Sequence, residues 1–197
     1  MTRKSKWAKP MGATIGWRRR ETEIIFRNPV FALRKDEIEL PNGQLMSFAY
    51  LERTDAVIVV PITAGGEMVL INQYRYATDQ WFLEVPAGGT HDKPNESLEE
   101  VARAELREEV GGTCGTLVYV EYFFSATSLS DEKCHVFLAE NVTLSASDRE
   151  AGDSIEVKTL PVAEAVDLVR RGEMRDAQCA LAILLCEPLL RERGYVK

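Results

Sequence analysis

The hydrophobic pattern of the chain changes period along its length, and each change marks an element. From Thr22 to Arg53, "TEIIFRNPVFALRKDEIELPNGQLMSFAYLER" alternates apolar and polar residues and breaks at Pro41-Asn42-Gly43. Period-two alternation marks strands, and an Asn-Gly pair supplies the positive φ of a tight turn. A strand followed by a hairpin is therefore predicted. "DAVIVVPI" is a continuous apolar strand, and Gly65-Gly66 turns the chain into a second strand, "EMVLINQYR". "QWFLEVPAGG" is a shorter strand that ends in a Pro/Gly loop.

A helical period follows. Ser97 with Glu100 three residues on forms a capping-box signature, and Gly111-Gly112 gives a stop. Strands resume with "TLVYVEYFFS" and "KCHVFLAENV"; after a polar loop come "SIEVKTLP", the helix "VAEAVDLVRRG" and a longer apolar helix from about Asp176 to Arg191. No internal repeat, low-complexity segment or clear linker interrupts this order. Strands dominate the first two thirds and helices bracket them, which predicts an α+β or α/β fold with a mixed sheet.

The first of these helices, "VARAELREEVGG", raises the chemical question. With Leu98 set at zero, Val101, Ala102, Leu106 and Val110 fall at roughly −60°, 40°, 80° and 120°, one apolar arc. Glu105 falls at about −20° and Glu109 at about 20°, inside that arc, with Glu108 near −80° on its edge. Arg103, Arg107 and Glu100 occupy the opposite side. A solvating acidic face would group the glutamates with Arg107 and Glu100; instead two of them interrupt the core-facing stripe. Unpaired buried carboxylates are costly and persist when paired or metal-bound. Metal binding, buried ion pairs and a helix end emerging from the core all satisfy the pattern. Hard oxygen ligands point to Mg²⁺, Mn²⁺ or Ca²⁺ rather than zinc.

Composition narrows the choice. The 197 residues, 45% hydrophobic and 28% charged, suffice for one large domain or a domain with an added subdomain. A net charge of −7 disfavours a nucleic-acid scaffold. Cys114, Cys134, Cys179 and Cys186 form no CxxC pair and no zinc spacing with His91 or His135, so they read as reduced, packed thiols of a cytoplasmic protein. No apolar run approaches the ~18 residues of a membrane span. Residues 1–20, "MTRKSKWAKPMGATIGWRRR", form a basic tail without an apolar core of signal-peptide length, an organelle transit peptide being the alternative.

With these residues in view, the chain resembles a Nudix hydrolase, whose box reads G-x5-E-x7-R-E-U-x-E-E-x-G-U with U aliphatic. Glu96, Glu105, Leu106, Glu108, Glu109 and Gly111 stand in register. Three places depart: Thr90 for the first Gly, Ala104 for the Arg and Gly112 for the last aliphatic residue. "VVPI", "VLINQYR", "FLEVPAGG", "SDEKCHVFLAENV" and the closing helices resemble members that cleave ADP-ribose and other nucleoside-diphosphate sugars. The resemblance implies an α/β/α Nudix sandwich over residues 55–197 and an N-terminal antiparallel strand subdomain over 21–54 that exchanges across a homodimer.

It also implies a site. Glu105, Glu109 and Glu108, with the backbone carbonyl of Ala87, would hold Mg²⁺, for which Mn²⁺ substitutes. Glu109, Glu108 and Glu132 would be catalytic, Glu132 orienting water or a metal. Arg75, Phe31 and Glu84 would meet the substrate, Phe31 stacking on a base with Phe26 as a second candidate. The expected reaction is Mg²⁺-dependent hydrolysis of the pyrophosphate of a nucleoside-diphosphate sugar, with no nucleic acid or membrane partner. A binding module that has lost turnover is the alternative, motivated by the altered box. The box Arg braces the loop–helix–loop in the family; Ala104 cannot, and Arg103 projects ~100° away from that position. The loop "GGTHDKPNE" is about two residues longer than the family spacing, and "SATSLSDE" lacks the "PGxSDE" form of the ADP-ribose subgroup.

Overall fold

The computed structural model describes residues 11–145 and 155–197, so half of the basic tail lies outside the described residues. The chain divides into two units: residues up to Thr54 with Ala126–Glu132, and Asp55–Ser125 with Lys133–Lys197.

In the first unit, strands β1 (Arg18–Arg27), β2 (Phe31–Glu39) and β3 (Leu45–Arg53) form an antiparallel sheet in that order. β1 starts within the stretch read as tail. The turn into β2 is made by Asn28, whose Oδ1 accepts the N–H groups of Val30 and Phe31 at 2.9 and 2.8 Å. Gly43 closes the β2–β3 turn with φ 82° and donates its N–H to Leu40. β1 is exposed along its whole length. The segment Ala126–Glu132 joins β3, where the Leu51 N–H donates to the Leu129 carbonyl and Asp131 Oδ1 accepts the Arg53 N–H at 2.8 Å. The period-two pattern carried no signal for that return, because a loop-to-strand bridge leaves no periodicity.

The second unit holds β4 (Ala56–Thr63), β5 (Glu67–Arg75), β6 (Gln80–Glu84), β7 (Ala87–Gly89), α1 (Leu98–Val110), β8 (Gly112–Thr113), β9 (Thr116–Phe124), β10 (Lys133–Leu144), β11 (Ile155–Pro161), α2 (Val162–Arg170) and α3 (Ala177–Glu192). The sheet runs β11-β5-β4-β10-β8, with β6 on β5, β7 on β4 and β9 on β10; the β4–β10 pair is parallel and the others are antiparallel. β4 lies at the centre, and Val57 to Val60 and Ile62 are wholly buried. Alternate residues feed two cores. Ile58, Val60 and Ile62 pack with α2 and α3, while Val57 and Val59 pack with α1 residues Val101, Ala102, Leu106 and Val110. Burial on both faces explains why this strand reads as a continuous apolar run. The result is the three-layer α+β sandwich with a mixed sheet.

α1 forms as its signals predict. Ser97 Oγ accepts the Glu100 N–H at 3.2 Å, and Glu100 Oε2 accepts the Ser97 N–H at 2.7 Å. Gly111 ends the helix with φ 66°. The departure at Gly112 is steric: a Cβ there would lie 2.9 Å from Leu106 Cγ and 3.2 Å from Val110 Cγ2.

Candidate active site

β4 holds β7 in register through the pairs Ala56–Gly89, Val57–Gly88 and Ile58–Ala87, and α1 lies across this part of the sheet. Glu105 is only 8% exposed, and its carboxylate lies against the backbone of Gly88. A Cβ at Gly88 would come 2.2 Å from Glu105 Cδ, so "PAGG" leaves the space that this carboxylate fills. One turn further, Glu109 Oε2 accepts the Ala87 N–H at 3.0 Å.

Two cations stand among these acids. Lys93, in the loop between β7 and α1, donates from Nζ to Glu105 Oε1 at 2.9 Å and to Glu108 Oε2 at 3.3 Å, with Asp92 Oδ2 3.7 Å away. Arg75, at the end of β5, grips Glu84 at the end of β6 with a two-pronged bond, Nε to Oε1 at 2.8 Å and NH2 to Oε2. Glu84 is 1% exposed, so the pairing is what makes its burial tolerable. Four carboxylates (Glu84, Glu105, Glu108 and Glu109) therefore share two cations.

The electrostatics follow. Burial pushes the Glu109 carboxyl up to about 8; the Ala87 N–H opposes this, Glu105 adds to it, Arg75 opposes it and Glu84 adds to it. Burial likewise raises Glu105, against the pull of Lys93. For Lys93, burial opposes the charge, but the hydrogen bond and charge of Glu105, with Glu108 and Asp92, outweigh it and hold the ammonium protonated. Glu109 is the acid without a bonded cation. Hard carboxylate oxygens in negative excess beside a glycine cradle fit a divalent cation, and Glu105, Glu108 and Glu109 are the side chains that would hold it.

The expected site is partly assembled. Glu105 and Glu109 face inward as the helical arc requires. Glu105 and Glu108 converge on Lys93 while Glu109 turns to Ala87, and no group of three or more His, Cys, Asp or Glu side chains is gathered as a metal site among the described residues. Arg75 and Glu84, both read as substrate contacts, are bound to each other, which gives Glu84 a holding role rather than an exposed one. Glu132 and Phe31 belong to the first unit. Glu132 is 3% exposed and pairs with Arg53 at 3.1 Å, and Phe31 stands 5.8 Å from Phe26, ring to ring, with Phe26 half exposed. Arg103 is engaged with Glu99 at 3.0 Å and with Cys114 Sγ, on the far side from the box carboxylates. Sequence reasoning missed Lys93. The signal was a lysine in the lengthened loop just before an acidic helix.

A three-layer mixed-sheet sandwich with carboxylates on the inner face of one helix defines a class, and the comparisons put the chain in it. Residues 52–180 match the NUDIX domain model, and residues 17–50 match the model described as nucleoside diphosphate sugar hydrolase N-terminal domain. The chain is 32% identical to the ADP-ribose pyrophosphatase of Bacillus subtilis (strain 168), over 82% of this chain and 87% of that protein. It is 31% identical to the GDP-mannose pyrophosphatase of Cronobacter sakazakii, over 83% of this chain and 87% of that protein. A crystal structure of an ADP compounds hydrolase superposes with a TM-score of 0.80 at 24% identity, covering 91% of this chain and 97% of that one. This chain belongs to the Nudix family.

Proposed function

We propose that the chain hydrolyses the pyrophosphate bond of a nucleoside-diphosphate sugar such as ADP-ribose, releasing a nucleoside monophosphate and a sugar phosphate. It is a Nudix hydrolase, and Nudix hydrolases generally use divalent metal ions; Mg²⁺ is the ion we assign, with Mn²⁺ substituting. The observation that carries the reading is the excess of inward-facing carboxylate at Glu105 and Glu109 on α1, in a chain whose relatives include an ADP-ribose pyrophosphatase and a GDP-mannose pyrophosphatase.

Breaking a phosphoric anhydride asks the protein for position and charge rather than covalent chemistry. A bound divalent ion would neutralise phosphate charge and acidify water. Glu105 and Glu109, with Glu108 and the Ala87 carbonyl, would hold that ion. Ala87 fixes the Glu109 carboxylate from its N–H, and the Arg75–Glu84 pair adds a rigid charged wall beside it. Burial raises the free Glu109 carboxyl to about 8, and a bound divalent ion would favour its charged, ligating form. By the family resemblance Phe31 is assigned to the base and Glu132 to orienting water. The exposed, apolar positions Ile24, Ile25 and Phe26 of β1 support a homodimer made through the first unit. Cys114, Cys179 and Cys186 form no disulfide and no described helix is long and apolar enough to cross a membrane, which suits the cytoplasmic setting we assign. The net charge of −7 suits a metal-bridged small anion better than a nucleic acid.

The test is incubation of purified protein with Mg²⁺, then Mn²⁺, and ADP-ribose, GDP-mannose, UDP-glucose and CDP derivatives, with both phosphate products quantified. One substrate should yield equimolar nucleoside monophosphate and sugar phosphate. Folded protein that turns over none of them with either ion sinks the proposal.

A further inference from the structure

We infer that Lys93 is the positioning cation of this site, standing in for the arginine that Ala104 lacks. The inference rests on the reading that the box carboxylates hold a divalent ion. Ala104 is 6% exposed and carries no charge, Arg103 is spent on Glu99 and Cys114, and Arg107 points to solvent. The helix therefore has no cation of its own on the face where Glu105 sits. Lys93 arrives from outside the helix, in the loop that is about two residues longer than the family spacing. Its side chain is 13% exposed and its Nζ links two carboxylates three residues apart on α1.

The geometry separates a brace from a plug. The ammonium takes Oε1 of Glu105 and Oε2 of Glu108, one oxygen from each carboxylate. The second oxygen of each takes no bond from Lys93, and both Glu105 oxygens lie close to Gly88. A three-donor ammonium suits this task, since it reaches Glu105 and Glu108 and approaches Asp92 without needing a planar match. Outer partners that fix the rotamer of a ligating carboxylate govern how tightly a metal binds. The same contacts tie the loop to α1 over 12 and 15 residues of chain, so the loop and the ligands are ordered by one bond set.

The experiment measures Mn²⁺ affinity of the metal-free full chain, without substrate, from the free-Mn²⁺ electron paramagnetic resonance signal. Wild type is compared with Lys93→Ala, Lys93→Gln and Lys93→Arg, each with its Tm. Lys93→Ala and Lys93→Gln should weaken Mn²⁺ binding about 10- to 100-fold, and Lys93→Arg should stay within about threefold of wild type. Two uncharged variants guard against one failing to fold. Equal affinity in the Ala and Gln variants makes Lys93 a spectator, and tighter binding makes it a competitor seated where the ion belongs; either result overturns the inference. Wild type that binds no Mn²⁺ removes the metal reading itself, which is a different failure.

Discussion

The two faces of the large sheet in the second unit are built from neighbouring residues of the same strands and closed by very different helices. On one face α2 and α3 contribute Val162, Ala165, Val166, Cys179, Ala182, Ile183, Cys186 and Leu190, all buried and all without charge. On the other, α1 contributes Val101, Ala102, Leu106 and Val110 and then interrupts them with Glu105 and Glu109. The first face is at its most stable with nothing added. The second carries Glu105 and Glu109, whose carboxyls burial raises, so their charged forms lower the stability of the metal-free chain. Stability and chemistry are thus divided between the sides of one sheet, and substitutions on each side should give different readouts.

The largest effect is expected at Glu109. Glu109→Gln keeps the shape and removes the charge, and should lower kcat by on the order of 10³-fold. Equal turnover would remove Glu109 from the mechanism. The same substitution should stabilise the metal-free protein. Without a metal, burial holds the Glu109 carboxyl at about 8 in the folded chain, above its ordinary 4.5. Between those values the native state holds a proton that the unfolded chain releases, so stability falls as pH rises through that window. Below about 4.5 both states are protonated and the site costs nothing; above about 8 the full penalty of the buried charge applies. Urea melts in EDTA at pH 5 and pH 9 should therefore show Glu109→Gln gaining about 4 kcal/mol more on wild type at the higher pH than at the lower. A difference that does not move with pH would contradict the burial argument.

Leu190 probes the opposite face. It is wholly buried, and Leu190→Ala should cost about 3 kcal/mol through lost transfer energy and a cavity. The turnover per folded molecule should stay at the wild-type value, which active-site titration against Tm checks. Loss of activity at unchanged stability would erase the division between faces. Gly88→Ala tests the contact between sheet and carboxylate. Its Cβ collides with Glu105 and displaces it, and a shift of about 1 Å in such a group costs on the order of 10²-fold in rate. Gly65→Ala is the control, because a Cβ there meets only Thr63 Oγ1 at 3.6 Å.

The difference between the faces also sets what could be read from sequence. Most strands, the capping box, the Gly43 and Gly66 turns and the inward direction of Glu105 and Glu109 follow from local period or spacing and were legible, whereas the start of β1 read as tail and β7 read as a Pro/Gly loop. The contacts that complete the site are not local. Lys93 reaches Glu105 across 12 residues and Arg75 reaches Glu84 across a hairpin of nine. Neither leaves a period, so nothing in the sequence showed that Arg75, itself half exposed, is bonded to the buried Glu84. Ala126–Glu132 escaped for the same reason, since its hydrogen bonds to β3 join positions about 78 residues apart. Side-chain chemistry named the candidates, and only tertiary geometry decided which charges are spent on one another.

The smallest effect sits where α1 begins. Ser97 and Glu100 form a reciprocal cap, exposed to solvent, and Glu100 is held below its usual range by the Ser97 backbone N–H and then by its hydroxyl. Ser97→Ala should cost about 1 kcal/mol, and Glu100→Ala should destabilise in the same direction. Because each side chain satisfies the other's backbone, the double variant should cost less than the sum of the two singles. If the start of α1 only frays, turnover falls by less than twofold, because Lys93, Gly88 and Ala87 hold Glu105 and Glu109 from outside the helix. A large loss of turnover from either exposed cap variant would mean that the carboxylates depend on the helix terminus for their position, and that α1 is not a separately anchored face.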